Sequence, residues 1–305
     1  MTTVAQTKPE EHQNIAAGIG LMLFAVLMFS ANDVLGKWLV ATYSVGQVLL
    51  FRSAAAWIVL APLVARAGPR TIVQAPRPGL QFLRVLFSTG EVACFYLAVS
   101  ALPLADAMTY YLATPIYVTL LAALILREHV GWRRWSAVLV GFAGVVIALQ
   151  PSSASFGWPA LVALLGSILF AFLMIVTRTL RGTPDLTMVA WQFACSLIVG
   201  LIWAPFQWVS FYGYDMYLIG FVGVVGMLAM VCVNRSLKLA PASVVVPYQY
   251  TMIVWAVIFG YLVFGDVPSW AVLTGAAIII AAGLYIFFRE QQVAKQPEPE
   301  LLTER

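Results

Sequence analysis

Cys94–Glu128 reads CFYLAVSALPLADAMTYYLATPIYVTLLAALILRE. It holds the end of one apolar helix, a corner at Leu102-Pro103, and a second apolar helix that meets Pro115 and stops at Arg127-Glu128. A degenerate copy, CVNRSLKLAPASVVVPYQYTMIVWAVIFGYLVFGD, occupies Cys232–Asp266. Pro103 corresponds to Pro241 and Glu128 to Asp266 across one interval of 138 residues (241 − 103 and 266 − 128). Tyr110 and Tyr248 keep the same spacing. One structural unit is used twice.

The rest of the chain shows what solvent that unit sits in. Of 305 residues, 62% are hydrophobic and only 10% charged, against about 25% charged in a soluble domain. So apolar a surface cannot be wetted by water, and the bilayer must take its place. Apolar runs fall at 15–40, 46–66, 78–101, 104–126, 132–149, 157–178, 187–207, 215–238, 242–264 and 268–288. Each approaches the roughly 20 residues that a spanning helix needs. They are too long and too continuously apolar for barrel strands, which alternate over about ten residues. The breaks hold Gly-Pro, Pro-Gly and Ala-Pro punctuation, so neighbours run antiparallel.

The basic residues orient these helices. Arg66, Arg70 and Arg77 lie in the second connection, Arg127, Arg133 and Arg134 in the fourth, Arg178 and Arg181 at the sixth, and Arg235 and Lys238 at the eighth. The odd-numbered connections contain no Lys or Arg. The positive-inside bias therefore predicts ten spans with both termini in the cytoplasm. The net charge of +4 is thus explained by topology, and no nucleic-acid partner is expected. Residues 1–14 and 289–305 read as polar cytoplasmic tails. Five helices per unit is an odd number, so the units 15–149 and 157–288 enter the membrane in opposite orientations. The expected fold is an all-α integral membrane protein of ten transmembrane helices in two inverted five-helix repeats, an arrangement typical of secondary transporters.

Within this frame, S-A-L-P-L-A-D-A (100–107), T-P-I-Y (114–117) and L-L-A-A-L-I-L-R-E (120–128), with L-K-L-A-P-A-S-V (237–244) and F-G-Y-L-V-F-G-D (259–266), resemble the doubled EamA unit of the drug/metabolite transporter superfamily. The similarity extends over about residues 15–288, and Lys37 and Phe51-Arg52 fit it as well. It implies a carrier of small metabolites in an inner membrane, most like the bacterial aromatic amino-acid exporters. One departure stands out: Pro115 is matched by Ile253, which predicts a straighter ninth helix and unequal halves.

Polar groups inside apolar runs are the candidate site, because an ionisable group at bilayer depth costs about 2.5 kcal/mol or more. Glu91 lies midway along the third run. It could hold a substrate ammonium group, couple protons, or pair structurally with Arg84 seven residues earlier on the same face. Asn32, Asp33 and Lys37 cluster in the first run. Asp33 and Lys37 are spaced to pair, and Arg52 enters at similar depth, giving a charge network or outer gate of Asp33, Lys37 and Arg52. A polar-aromatic set follows: Tyr110, Tyr111, Thr114 and Tyr117 beside Pro115, with Tyr248 and Gln249 in the second copy. Ser30 and Gln192 complete the candidate substrate-binding residues. Gly141, Gly144, Gly223 and Gly226 read as packing positions, and Trp132, Trp158, Trp208 and Trp270 as interfacial anchors. Glu128 and Asp266 are expected to cap the helices that follow them.

Other chemistry finds little support. Cys94, Cys195 and Cys232 sit in apolar runs, and His12 and His129 lie outside them, so neither a metal centre nor a His-based catalytic group is expected. No cofactor is expected, and no phosphate-binding loop is present. The partners expected are the bilayer and a small-molecule substrate, an amino acid or metabolite, for a monomer moving it outward. The competing readings are an exporter of cationic drugs or quaternary ammonium compounds, a channel, and a membrane-embedded enzyme.

Overall fold

The computed structural model describes residues 14–68, 70–73, 75–102, 104–128, 130–150, 157–259 and 270–294. Among them there are helices and turns but no strands. The first unit comprises α1 (Ile15–Val40), α2 (Val45–Ala67), a short surface turn α3 (Arg70–Val73), α4 (Pro78–Ala101), α5 (Leu104–Tyr111), α6 (Thr114–Leu124) and α7 (Trp132–Leu149). The second comprises α8 (Trp158–Thr179), α9 (Asp185–Trp203), α10 (Asp215–Leu239), α11 (Ala242–Val245), α12 (Met252–Phe259) and α13 (Trp270–Ala294). Local chemistry sets the starts. The Asn14 side chain accepts the Ala17 amide at 3.0 Å and Ser44 accepts that of Gln47 at 3.3 Å, while Pro78 opens α4 in its first turn, each satisfying or removing an orphan donor.

The 138-residue interval recurs at element boundaries. Elements α4 and α10 end at Ala101 and Leu239, and α5 and α11 begin at Leu104 and Ala242. The restarts α6 and α12 begin at Thr114 and Met252, and α7 and α13 at Trp132 and Trp270. Packing follows the same symmetry. The main pairs are α1 with α10, α4 with α8, α2 with α9 and α7 with α13, and each joins one unit to the other. A two-fold axis maps α1–α10 onto α8–α4 and the other two pairs onto themselves. Each half therefore buries much of its inner surface against its partner.

Two expectations about this architecture are corrected. The ninth membrane helix is not the straighter one: Val246–Thr251 is a 3₁₀ segment between α11 and α12. Pro247 stands near its start, where it lacks the N–H that the α-helical ladder needs. The break thus falls just before Met252, as the turn at Leu112–Ala113 falls just before Thr114. Second, Glu128 does not cap the helix after it. Its Oε1 accepts the Ala242 amide at 3.1 Å, and its Oε2 accepts the Ser243 amide at 3.1 Å and hydroxyl at 2.6 Å. It caps α11, the corresponding start in the other unit. Asp266, its counterpart, lies outside the described residues, as do His12, His129 and most of both tails.

Two apolar layers flank the middle of the bundle. One contains Met22, Leu173, Met174, Val233 and Leu237; the other contains Leu39, Leu49, Phe95, Val99 and Ile219. The outer surface carries exposed Ile58, Leu161, Ile202 and Phe221, with Trp132, Trp158, Trp208 and Trp270 exposed at helix ends, as a lipid-facing wall with interfacial aromatics requires.

Candidate functional site

A cavity of about 800 Å³, counting its mouth, lies between the units. Asp33 and Asn32 reach it from α1, Arg52 from α2, Glu91 from α4, Tyr111 from α5, Gln192 from α9 and Gln249 from the 3₁₀ segment. Seven of the residues picked out by polarity alone therefore converge on one space. Its three charged residues are Asp33, Arg52 and Glu91.

Arg52 is 7% exposed. Its Nη1 donates to the Tyr96 hydroxyl at 3.0 Å, and its guanidinium lies 5.5 Å from the Tyr96 ring centroid, a cation–π distance. Among the described residues its Nε has no hydrogen-bond partner, nor have the Ser88 and Thr89 hydroxyls, which share with Arg52 a small recess beside the cavity. Small residues let helix α10 come this close. A Cβ on Gly223 would strike the Arg52 carbonyl, and one on Gly226 would stand 2.8 Å from Arg52 Nη2. Asn32 donates through Nδ2 to the Val222 carbonyl at 2.7 Å, tying α1 to the same stretch. Among the described residues, neither the Asp33 nor the Glu91 carboxylate forms an ion pair or hydrogen bond.

The remaining candidates lie elsewhere. Lys37 is not turned to Asp33; its ammonium donates to the carbonyls of Leu102 at 2.8 Å and Val99 at 3.3 Å. Carbonyls at a helix C-terminus are unpaired and carry partial negative charge, so a nearby cation goes there. Arg178 does the same at the inverted position, donating to Leu237 at 2.6 Å; Val99 and Leu237 are again 138 residues apart. Arg84 does not pair with Glu91. It is fully buried and donates to Thr177 Oγ1 (2.9 Å), Met188 O (3.0 Å), Gln192 Oε1 (3.2 Å) and Asn234 Oδ1 (2.9 Å). Ser30 bonds back to the Val26 carbonyl, Thr114 to that of Ser167, and Tyr248 to that of Gly283. Tyr110 and Tyr117 pack into the two apolar layers.

Polarity could not point to the cavity's apolar wall: Phe29, Phe95, Phe170, Met108, Met230 and Met252. Tyr96 was also missed, although helical spacing from Val92 places it on the cavity face.

A charged, aromatic-walled chamber at the interface of two inverted helical units defines a membrane transporter. The EamA-like transporter family model matches residues 16–150 and 157–288, and the chain belongs to that family. Its fold is accordingly ten transmembrane helices in two inverted repeats. Among its relatives, the S-adenosylmethionine uptake transporter of Rickettsia bellii is 29% identical over 278 residues, covering 90% of this chain and 94% of that protein. A riboflavin transporter of Rhizobium johnstonii is 27% identical over 293 residues, covering 94% and 96%. The pseudopaline exporter CntI of Pseudomonas aeruginosa is 26% identical over 275 residues, covering 88% and 95%. A solved crystal structure superposes with a TM-score of 0.76 at 16% identity, covering 92% of this chain and 99% of that one, a likeness of fold.

Proposed function

We propose that this chain is a secondary transporter that exports amino acids or related small metabolites across a bacterial inner membrane by alternating access, with both termini in the cytoplasm. The observation that carries this reading is the placement of Arg52 opposite Asp33 and Glu91 in one cavity between the units. A zwitterion offers a carboxylate to the guanidinium and an ammonium group to a carboxylate. The aromatic wall suits both the ammonium group and an apolar side chain. Relatives that carry S-adenosylmethionine, riboflavin and pseudopaline support small polar metabolites as the general class. They include both uptake and export, so outward direction rests on the resemblance to amino-acid exporters.

An exporter of plain organic cations is the second reading, favoured by the two carboxylates and the rings. It leaves Arg52 without a counter-ion. Proteoliposomes loaded with unlabelled amino acid test the proposal by counterflow of the labelled one. Saturable exchange is expected, slowed at least severalfold by Glu91→Gln. Continuous conductance in a planar bilayer, or no exchange across an amino-acid panel, would overturn it.

A further inference from the structure

The substrate cavity holds two carboxylates and one guanidinium, and the three are not equivalent. Arg52 already has Tyr96 as a neutral acceptor on one edge, while its buried Nε is left without a partner beside the unpartnered hydroxyls of Ser88 and Thr89. Arg52 also lines the main cavity beside Asp33 and Glu91, and there its guanidinium can take one carboxylate. Asp33 and Glu91 enter from α1 and α4, and neither is engaged by a cation of the protein at hydrogen-bond range. Lys37 and Arg84, the cations within reach along the same helices, are held by carbonyls and neutral side chains instead. Tyr96 and Tyr111, the titratable neighbours, are hydroxyl groups and add no positive charge.

A neutral zwitterion satisfies Arg52 and one carboxylate and leaves the other carboxylate either a buried bare charge or obliged to take up a proton, each at a cost that a second positive centre on the ligand removes. A plain cation satisfies a carboxylate and leaves Arg52. The ligand that meets all three groups has one carboxylate and two positive centres. The wall supports the second centre, because Phe29, Phe95, Tyr111 and Phe170 line the same space as the carboxylates, and ring faces attract a cation that has left water.

Resting on the transport reading above, we propose that the substrate is an α-amino acid carrying a further positive charge, of net charge +1, with its carboxylate at Arg52 and its two cationic groups at Asp33 and Glu91. Neutral amino acids, aromatic ones included, are then poor substrates.

The test is counterflow in proteoliposomes of the wild-type protein at equal concentrations of labelled lysine, ornithine and S-adenosylmethionine, with leucine, phenylalanine and glutamate as neutral and acidic comparisons and tetraphenylphosphonium as a plain cation. At least one cationic amino acid should exchange about tenfold or more faster than leucine and phenylalanine, since one uncompensated buried charge costs at least that factor. Asp33→Asn or Glu91→Gln should shrink this preference toward neutral substrates, and Arg52→Gln should shrink the preference over tetraphenylphosphonium. Exchange of leucine or phenylalanine as fast as the cationic amino acids overturns the charge assignment and leaves the transport reading standing. Tetraphenylphosphonium moving as well as lysine overturns the carboxylate site. No exchange of any amino acid overturns both readings together. The wild-type panel decides these outcomes even where a variant fails to fold.

Discussion

Arg84 and Glu91 are two charges on one face of α4 that do different work. Four neutral acceptors on α8, α9 and α10 surround the Arg84 guanidinium. A bare guanidinium buried at this depth would be prohibitive, but hydrogen bonds to a charged donor recover much of the cost. Arg84→Gln shortens the side chain and strands several of those acceptors, an expected loss of about 3 kcal/mol. Fluorescence-monitored melting in detergent should fall by several degrees, whereas Glu91→Gln, which breaks no protein contact, should leave it unchanged. Equal losses in both would mean that Glu91 is structural too. The charged half of the site was legible in the sequence because Asp33, Arg52 and Glu91 each interrupt an apolar run at a cost that needs a reason. Phe29, Phe170 and Met230 were not, since an apolar side chain facing a cavity and one facing lipid look alike in a hydropathy pattern. Nor could the sequence show that Arg84 is taken up by side chains about a hundred positions away.

Glu128 illustrates a role that follows from an element and not from its neighbours in sequence. Its carboxylate receives two amides and a hydroxyl at the start of α11, and the Arg178 guanidinium stands 3.8 Å away, itself bound to the last carbonyls of α10. One acid thus fixes where α10 ends and where α11 begins. Glu128→Ala is expected to cost about 1 kcal/mol, as the loss of an N-cap does, while Glu128→Gln, whose amide oxygen can still accept, should cost less than half of that. Melting of the two variants side by side checks the order; equal losses would point to the Arg178 charge instead. The repeat interval singled out this acid, but local order suggested the wrong helix, because the capped amides belong to the other unit. The same blind spot affected the ninth membrane helix. Comparing Ile253 with Pro115 suggested continuity, yet Pro247, six residues earlier, interrupts the ladder before the same restart point. The interval preserved the position of the break while a different proline produces it.

The two-fold axis relates two clusters that the two units use differently. Arg52 and Tyr96 correspond to Gln192 and Asn234 in the second unit, at offsets of 140 and 138 residues. Arg52, Tyr96 and Gln192 all line the cavity, but in the second unit the Arg84 guanidinium lies between Gln192 and Asn234. Residue 222, the counterpart of 84, is Val, too small to fill the first unit in the same way. Each cluster lies seven residues in from the start of its helix, α2 or α9, so under inverted topology the two lie toward opposite faces. With both termini in the cytoplasm, as proposed, the open one is nearer the outside and the filled one nearer the cytoplasm. Alternating access then requires the cytoplasmic ends of the units to part where Glu128 meets Ser243 across them. A pair of cysteines at 128 and 243, with Cys94, Cys195 and Cys232 first replaced by alanine, tests this together with the orientation. Ser243 is buried, so a membrane-impermeant bis-methanethiosulfonate should bridge the pair only as the ends separate, faster when substrate drives exchange. It should act on inside-out vesicles and not on right-side-out ones. Bridging should stop counterflow and reductant should restore it. Bridging from the outer face would reverse the assigned topology, and full exchange by the bridged protein would show that this contact does not open during transport.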